Sequence, residues 1–354
     1  MKVTLADIAA RAGVSQATVS RVLNGKPGVA SATRTAVLTA MDEHGYDGPA
    51  RLMRRQAGLV GLVLPELENP IFPAFASAVG AALAQHGYTP VLCTQTFGGV
   101  HEDDYVRMLL DRKVAGIVFI SGIHANVDTD PARYSALLER GLPFVLVNGE
   151  LPGVEAPSVS NDDAASVDLA VGHLAQLGHR RIGLAIGPRR YVPVIRKLAA
   201  FPEAVARHLP GEPHGRDVDL PVECTHFTVE GGMAAAGALL DSGCTGIVCG
   251  SDLMALGAVR AARERGLRVP EDVSVVGSDD SLLIAYTDPP LTTVRQPVLA
   301  MSAAAVDALL DVISGVASSR AEYVFRPELV VRGSTAPVRR GRRGPVSLAA
   351  QAGS

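Results

Sequence analysis

From Leu59 onward, short apolar runs alternate with amphipathic stretches: "LVGLVLP" from Leu59, "YTPVLCT" from Tyr88, "AGIVFIS" from Ala115 and "PFVLVN" from Pro143, separated by helical-period segments near 71–86, 100–112 and 131–140. Continuously apolar strands must be covered on both faces, and a helix between successive strands makes those strands parallel. A second series follows, with strands "RIGLAIG" from Arg181, "GIVCG" from Gly246 and "VSVVGS" from Val273, and helices near 163–177, 228–242 and 252–265. The pattern predicts an α/β core of two doubly wound parallel-sheet lobes, with a ligand cleft between them at the strand ends. The run Leu291–Thr293 and a helix near 298–314 read as crossover segments. The expected division is a first lobe of 59–160 plus 293–321 and a second of 161–290 plus 322–332.

A chain of 354 residues, 47% of them hydrophobic, is long enough to bury two such cores. The start "MKVTLADIAA" lacks the charged head and apolar run of a secretory signal, and the later apolar runs are too short to span a bilayer, so the expectation is a cytoplasmic protein with no membrane partner. Cys93, Cys224, Cys244 and Cys249 have neither paired spacing nor neighbouring histidines at metal-ligand spacing; they read as reduced core thiols, and no metal is expected. With 4% aromatics and no tryptophan, a small-molecule site is expected to rely on polar clamps more than on stacking. Charge is unevenly distributed. Residues 1–58 carry eight basic side chains against four acidic ones, although the whole chain has a net charge of -3. Such asymmetry suits a nucleic-acid-binding head on an acidic body.

That head reads as three short helices. Thr4 can cap the first, with Asp7 at the capping-box place and Leu5, Ile8, Ala9 and Ala12 as its apolar stripe, and Gly13 ends it. Ser15 is an N-cap for a second helix, which turns Val19, Val22 and Leu23 inward and Gln16, Ala17, Ser20, Arg21 and Asn24 outward, before Gly25. Ser31 starts a third helix, buried through Val37, Leu38 and Met41 and closed by Gly45. The arrangement is an all-α helix-turn-helix head over 1–46. In a major groove, Arg21 can bind guanine O6 and N7 through two hydrogen bonds, Gln16 can read a base edge and Ala17 can pack on a thymine methyl; Ser15, Thr18, Ser20 and Asn24 suit phosphates. A solvated face on a small three-helix bundle would show the same periodicity.

The run from Thr4 to Ala9, then Ala12-Gly13-Val14-Ser15 and Ala17 to Gly25, closely resembles the start of the lactose/galactose-repressor family. The resemblance continues through "ENPIFPAF", "HLAQLGHRRIGLAIG", "SDLMALGAV", "VPEDVSVVGSDD" and "PPLTTVRQP", covering about residues 2–332. It implies a homodimeric repressor of double-stranded operator DNA, controlled by a small effector, with DNA-contacting positions Thr4, Leu5, Ser15, Gln16, Ala17, Thr18, Ser20, Arg21 and Asn24. A linker over 47–58 then becomes a hinge helix whose leucine wedges into the minor groove. Counting back from Gly61 places Leu52 there, whereas aligning Ala50-Arg51 with the family's Ala-Arg motif places Met53; the linker is also about three residues shorter than is usual in the family. In the core the resemblance implies effector clamps at Asp252 and Asp279, each of which can also be read as a helix cap. The sugar-contacting arginine of the family corresponds to Lys197, with Arg196 adjacent, and an ammonium lacks the guanidinium's planar fork. Ser251 and Ser278 replace an amide and an aromatic common in the family, and Phe72 is the expected apolar wall. The ligand is thereby left as a sugar, a modified or acidic sugar, or another small polyol.

Nothing points to catalysis. No Gly-x-Gly-x-x-Gly opens a helix after a strand, no Gly-x-x-x-x-Gly-Lys-Ser/Thr occurs, and no nucleophile, base and orienting acid can be grouped, so no enzyme activity or cofactor is expected. A periplasmic sugar receptor would share the lobes but not the head. His173 and His179 lie on different helix faces and read as structural, and Asp162 and Asp163 as the start of a helix. The tail over 333–354 lacks the leucine heptads of a coiled coil and is expected to be disordered.

Overall fold

The computed structural model describes residues 3–23, 29–44, 57–95, 99–210, 220–316 and 321–338. The chain divides into two compact units, Met1–Ala57 and Gly58–Ser354.

The first unit holds α1 (Leu5–Ala12), α2 (Gln16–Leu23) and α3 (Ser31–Glu43). Thr4 and Asp7 form a reciprocal capping box: the Thr4 amide donates to Asp7 Oδ2 at 2.7 Å and the Asp7 amide to Thr4 Oγ1 at 3.4 Å. These bonds hold the exposed Asp7 carboxyl below its usual range. Gly13 closes α1 in the left-handed region at φ 66°, which lets the chain turn directly into α2. The Thr18 amide donates to Ser15 Oγ at 3.2 Å, which caps α2. Ile8, Val19, Val22, Val37 and Ala40 form the core of the head, and Arg11 pairs with Glu43 at 2.7 Å to tie α1 to α3. Leu38, expected inside, is 51% exposed. Three residues after Val37 the helix returns to its inner face at Ala40, whereas Leu38 lies a further 100° round. Thr4→Ala is expected to cost about 1 kcal/mol of α1 stability, read as faster hydrogen exchange at the Asp7 amide.

In the second unit, β1 (Gly58–Leu64), α4 (Ile71–Gln85), β2 (Tyr88–Thr94), α5 (Glu102–Asp111), β3 (Gly116–Ile120), α6 (Ala132–Glu139), β4 (Phe144–Val147) and β5 (Ser158–Asn161) build the first lobe. The chain then crosses into α7 (Asp163–Gln176), β6 (Ile182–Ile186), α8 (Val192–His208), β7 (Val222–Cys224), α9 (Val229–Asp241), β8 (Gly246–Cys249), α10 (Asp252–Glu264), β9 (Ser274–Asp279) and β10 (Thr292–Arg295). It returns through α11 (Val298–Ile313) and β11 (Glu322–Phe325), and crosses again to β12 (Glu328–Val330). The sheets run β11-β5-β4-β3-β1-β2 and β12-β10-β9-β8-β6-β7, parallel throughout except that β12 is antiparallel to β10. Both lobes therefore repeat one order, second strand, first, third, fourth, fifth. Each reverses direction between its first and third strands, where the carboxyl ends of an open α/β sheet leave a crevice.

The ladders correct the expected division of the lobes. Thr292–Arg295 pair with Val276–Asp279 in the second sheet, and Glu322–Phe325 pair with Ser158–Asn161 in the first. Such short segments carry no pattern that distinguishes one sheet from the other; only their long-range partners do. The first residues after 332 are ordered rather than loose. Ser334 is fully buried, its hydroxyl donates to the Val275 carbonyl at 2.6 Å, and the Val338 amide donates to the Leu177 carbonyl at 3.0 Å. His173 meets Thr335 Oγ1 at 2.9 Å and His179 meets the Ala336 carbonyl at 3.2 Å, so both histidines pin this segment. The four cysteines are free thiols, and burial raises the Cys93 thiol to about 11. Among the described residues no helix is long and apolar enough to cross a membrane, and no group of three His, Cys, Asp or Glu residues is placed to hold a metal.

Candidate functional site

A cavity of about 750 Å³ lies in the second unit between the two lobes. Its polar wall comes from residues at or just past strand ends: Gln95 after β2, Ser121 after β3, Asn148 after β4, Asn161 ending β5 and Asp279 ending β9. Ser121, Asn148 and Asp279 have φ of 45°, 60° and 110°, a region that residues with a Cβ rarely adopt. Strain of this kind collects where a ligand site dictates the backbone path.

Two crossover segments supply the floor. Asn161 Nδ2 donates to Ser166 Oγ at 2.8 Å and Gln296 Nε2 donates to Asp279 Oδ1 at 2.7 Å. Each amide thus turns its NH2 group to the protein, with one N–H bonded there, and Asn161 Oδ1 and Gln296 Oε1 are buried with no hydrogen-bond partner among the described residues. Lys197 Nζ donates to Asp163 Oδ1 at 2.5 Å, and both residues line the cavity. Burial pushes the Asp163 carboxyl up against the pull of Lys197. Asp279 is pushed well above the usual carboxylate range, first by burial and then by the charge of Asp252. Burial and Glu68 raise Glu66 on the opposite wall. Phe72, Tyr191 and Phe227 line the cavity beside these polar groups, so the fold gathers three of the chain's few aromatics here.

Arg196 and Asp252, expected at the cleft, are not among its lining residues. Arg196 lies one position, about 100°, round α8 from Lys197 and forks onto Glu322 of the first lobe at 2.7 and 3.0 Å. Asp252 is 1% exposed and starts α10; one oxygen accepts the Ser281 amide and the other the Thr293 hydroxyl, each at 2.7 Å. It ties the loop after β9 to strand β10, and burial pushes its carboxyl up to about 6. The neighbouring Ser251, which caps α10 by accepting the Met254 amide at 3.2 Å, is the residue that reaches the cavity. Phe72, Lys197 and Asp279 line the cleft as expected; Gln95, Asn161, Tyr191, Phe227 and Gln296 had not been singled out. The signal for three of these was their position, since an amide side chain directly ends or follows the strands "YTPVLCT", "SVSN" and "TTVR".

In the head, Ser15, Gln16, Ala17 and Arg21 are exposed, while Thr18 and Ser20 are half-buried beside them. Gln16, Ala17, Ser20 and Arg21 share one face of α2 by helical spacing, opposite the buried Val19 and Val22. Thr4 is exposed within its capping box and Leu5 is half-buried against the core. Asn24 and the hinge residues Leu52 and Met53 lie outside the described residues.

Residues 4–48 match the family model described as bacterial regulatory proteins, lacI family, and residues 171–335 match a periplasmic binding protein-like domain. The HTH-type transcriptional regulator reg1 of Streptomyces lividans is 60% identical over 97% of this chain and 100% of its own length. The chain belongs to the lacI family. Two solved structures are similar to this lacI-family chain. A complex of the transcriptional regulator CelR with cellobiose has 34% identity and a TM-score of 0.68 over 94% of this chain and 99% of that one. The lac repressor dimer bound to operator and an anti-inducer has 29% identity and a TM-score of 0.67 over 95% and 100%. As a lacI-family member the chain is a DNA-binding transcriptional regulator and not an enzyme, with a helix-turn-helix head and a two-lobed parallel-sheet core.

Proposed function

We propose that this regulator is a cytoplasmic repressor that binds a pseudopalindromic operator as a homodimer, and that a neutral, hydroxyl-rich sugar held between its lobes controls its DNA affinity. The observation that carries the ligand is the pair of buried, unpartnered carbonyl oxygens of Asn161 and Gln296. A buried acceptor without a donor costs about 1–3 kcal/mol, and a sugar hydroxyl supplies the missing donor. The cleft's carboxyls, on Glu66, Glu68, Asp163 and Asp279, face a single ammonium, that of Lys197, among the described lining residues. An acidic sugar would add like charge to that wall, which disfavours this alternative. The volume falls within the roughly 300–1,000 Å³ of small-ligand sites, and the solved CelR neighbour holds cellobiose, a neutral disaccharide. Effector contacts are assigned to Phe72, Lys197 and Asp279, joined by Asn161 and Gln296.

For DNA, the exposed face of α2 gives base readout to Gln16, Ala17 and Arg21, with Thr4, Leu5, Ser15, Thr18, Ser20 and Asn24 around it on the backbone. One three-helix head reads only a half-site, so a symmetric dimer is required; the lac repressor neighbour is a dimer on operator. Residues 1–46 would then be the reading head, 47–58 the hinge with Leu52 as its minor-groove wedge, and 59–332 the effector and dimer core. A ligand that binds two lobe arrangements unequally shifts their populations and, by linkage, operator affinity. Titration calorimetry of the full chain with neutral disaccharides and with the corresponding uronic acids, followed by operator gel shifts with each hit, tests this. Neutral sugars are expected to bind at least ten-fold more tightly. Tighter binding of the acids would refute the ligand class, and a hit that leaves operator affinity unchanged would refute the control.

A further inference from the structure

Glu102 is 1% exposed, lies at the start of α5 outside the cleft, and takes part in none of the contacts assigned above. Its carboxyl joins three segments of the first lobe. Oε1 accepts the Tyr134 hydroxyl of α6 at 2.5 Å; Oε2 accepts the Ile123 amide after β3 at 3.1 Å and Gln95 Nε2 after β2 at 3.3 Å. The approach is close: a Cβ on Gly122 would stand 2.7 Å from Oε2, so a larger residue there would displace the carboxyl. The backbone of Gln95 is fixed separately, its amide donating to the Leu64 carbonyl at 3.2 Å. Only the orientation of the Gln95 carboxamide remains to be set, and Gln95 lines the cavity.

The chemistry of the carboxyl sets it. An ionised carboxylate only accepts, so Oε2, which already takes the Ile123 N–H, needs a donor from Gln95 as well. Gln95 must then offer its NH2 group to Oε2, which leaves its carbonyl oxygen for the cleft. We propose that Glu102 is a positioning residue for effector specificity, which locks Gln95 so that the first lobe presents a carbonyl acceptor to a ligand hydroxyl. This extends to the first lobe what Asn161 and Gln296 do on the crossovers, and it rests on the reading of the cleft as a site for hydroxyl-bearing ligands.

Glu102→Leu removes the acceptor, whereas Glu102→Gln keeps one: its amide oxygen takes the Oε2 place under the Ile123 N–H, and its NH2 group faces the Tyr134 oxygen. In the full chain without ligand, solvent exchange of the Gln95 side-chain NH2 protons, followed by 15N NMR, is expected to be at least ten-fold faster in Glu102→Leu and near wild type in Glu102→Gln. With cellobiose and maltose as probes, Glu102→Leu is expected to weaken binding about ten-fold, Glu102→Gln less than three-fold, and Glu102→Leu to add nothing in a Gln95→Leu background. If the Leu variant misfolds, Tyr134→Phe and Glu102→Gln carry the exchange measurement, with protection of Gln95 expected to persist in both. Unprotected Gln95 protons in the wild type, or a full ten-fold loss persisting without Gln95, would overturn the assignment. Protected Gln95 protons in a wild-type protein that binds no neutral sugar would instead overturn the ligand class while leaving the lock in place.

Discussion

Arg21→Ala is expected to lower affinity for operator by about 1–3 kcal/mol per half-site, and so by about 2–6 kcal/mol for a dimer, roughly 30-fold to 10⁴-fold. Arg21 is exposed on α2, and the helix is anchored through Val19 and Val22 on its other side, so the substitution leaves the core of the head intact. Surface substitutions usually alter stability by about 0.5 kcal/mol or less, and a thermal melt of the variant checks this. The loss is therefore in recognition. A guanidinium that forks onto one guanine discriminates between sequences, whereas one that meets a phosphate binds all sequences alike. Anisotropy titrations on operator and on a scrambled duplex, at one fixed salt concentration because phosphate contacts are salt-dependent, separate the two. The ratio of the two affinities is expected to collapse. An equal loss on both duplexes would reassign Arg21 to the backbone and leave base reading to Gln16 and Ala17.

How much of this was legible in the sequence depended on whether the signal was local. The capping box of Thr4 and Asp7, the turn at Gly13 and the buried stripe of α2 are fixed by neighbours within four residues, and the pattern reported them. The same holds for strands such as β3 and β4, buried on both faces and therefore apolar at every position. β5 is fully buried too, but its sequence is Ser-Val-Ser-Asn, because it ends where polar groups must face the cleft; apolar continuity fails there as a marker. α8 carries Pro202 in its interior and Pro193 in its first turn, which obscures a 17-residue helix. The cleft was the least legible part, since Gln95, Asn161 and Gln296 meet only through the crossovers. The resemblance correctly drew attention to the start of α10, yet Ser251 faces the cavity and Asp252 faces away from it: one residue along a strand-to-helix turn exchanges the two directions.

Lys197→Met is expected to destabilise the core by about 3–5 kcal/mol at neutral pH, the cost of leaving one member of a buried ion pair alone. Its partner Asp163 is 5% exposed, and among the described residues Lys197 is the one cation that pairs with it. In the variant the Asp163 carboxyl rises further than burial already lifts it. The folded state then holds a proton that the unfolded chain has released, so the deficit is small below the unfolded carboxylate range, grows as pH rises towards the folded value, and is constant above it. Adding Asp163→Asn removes the buried charge and is expected to recover most of the stability. It is not expected to recover sugar binding, because the ammonium protons not engaged by Asp163 are the ones available to a ligand oxygen. Urea denaturation followed by far-ultraviolet circular dichroism at pH 5 and pH 8, beside calorimetry with cellobiose, separates the two roles. A single variant as stable as the wild type at pH 8 would mean that Asp163 does not depend on its lysine. A double variant with full sugar affinity would mean that Lys197 supports the fold of the cleft without touching what it holds.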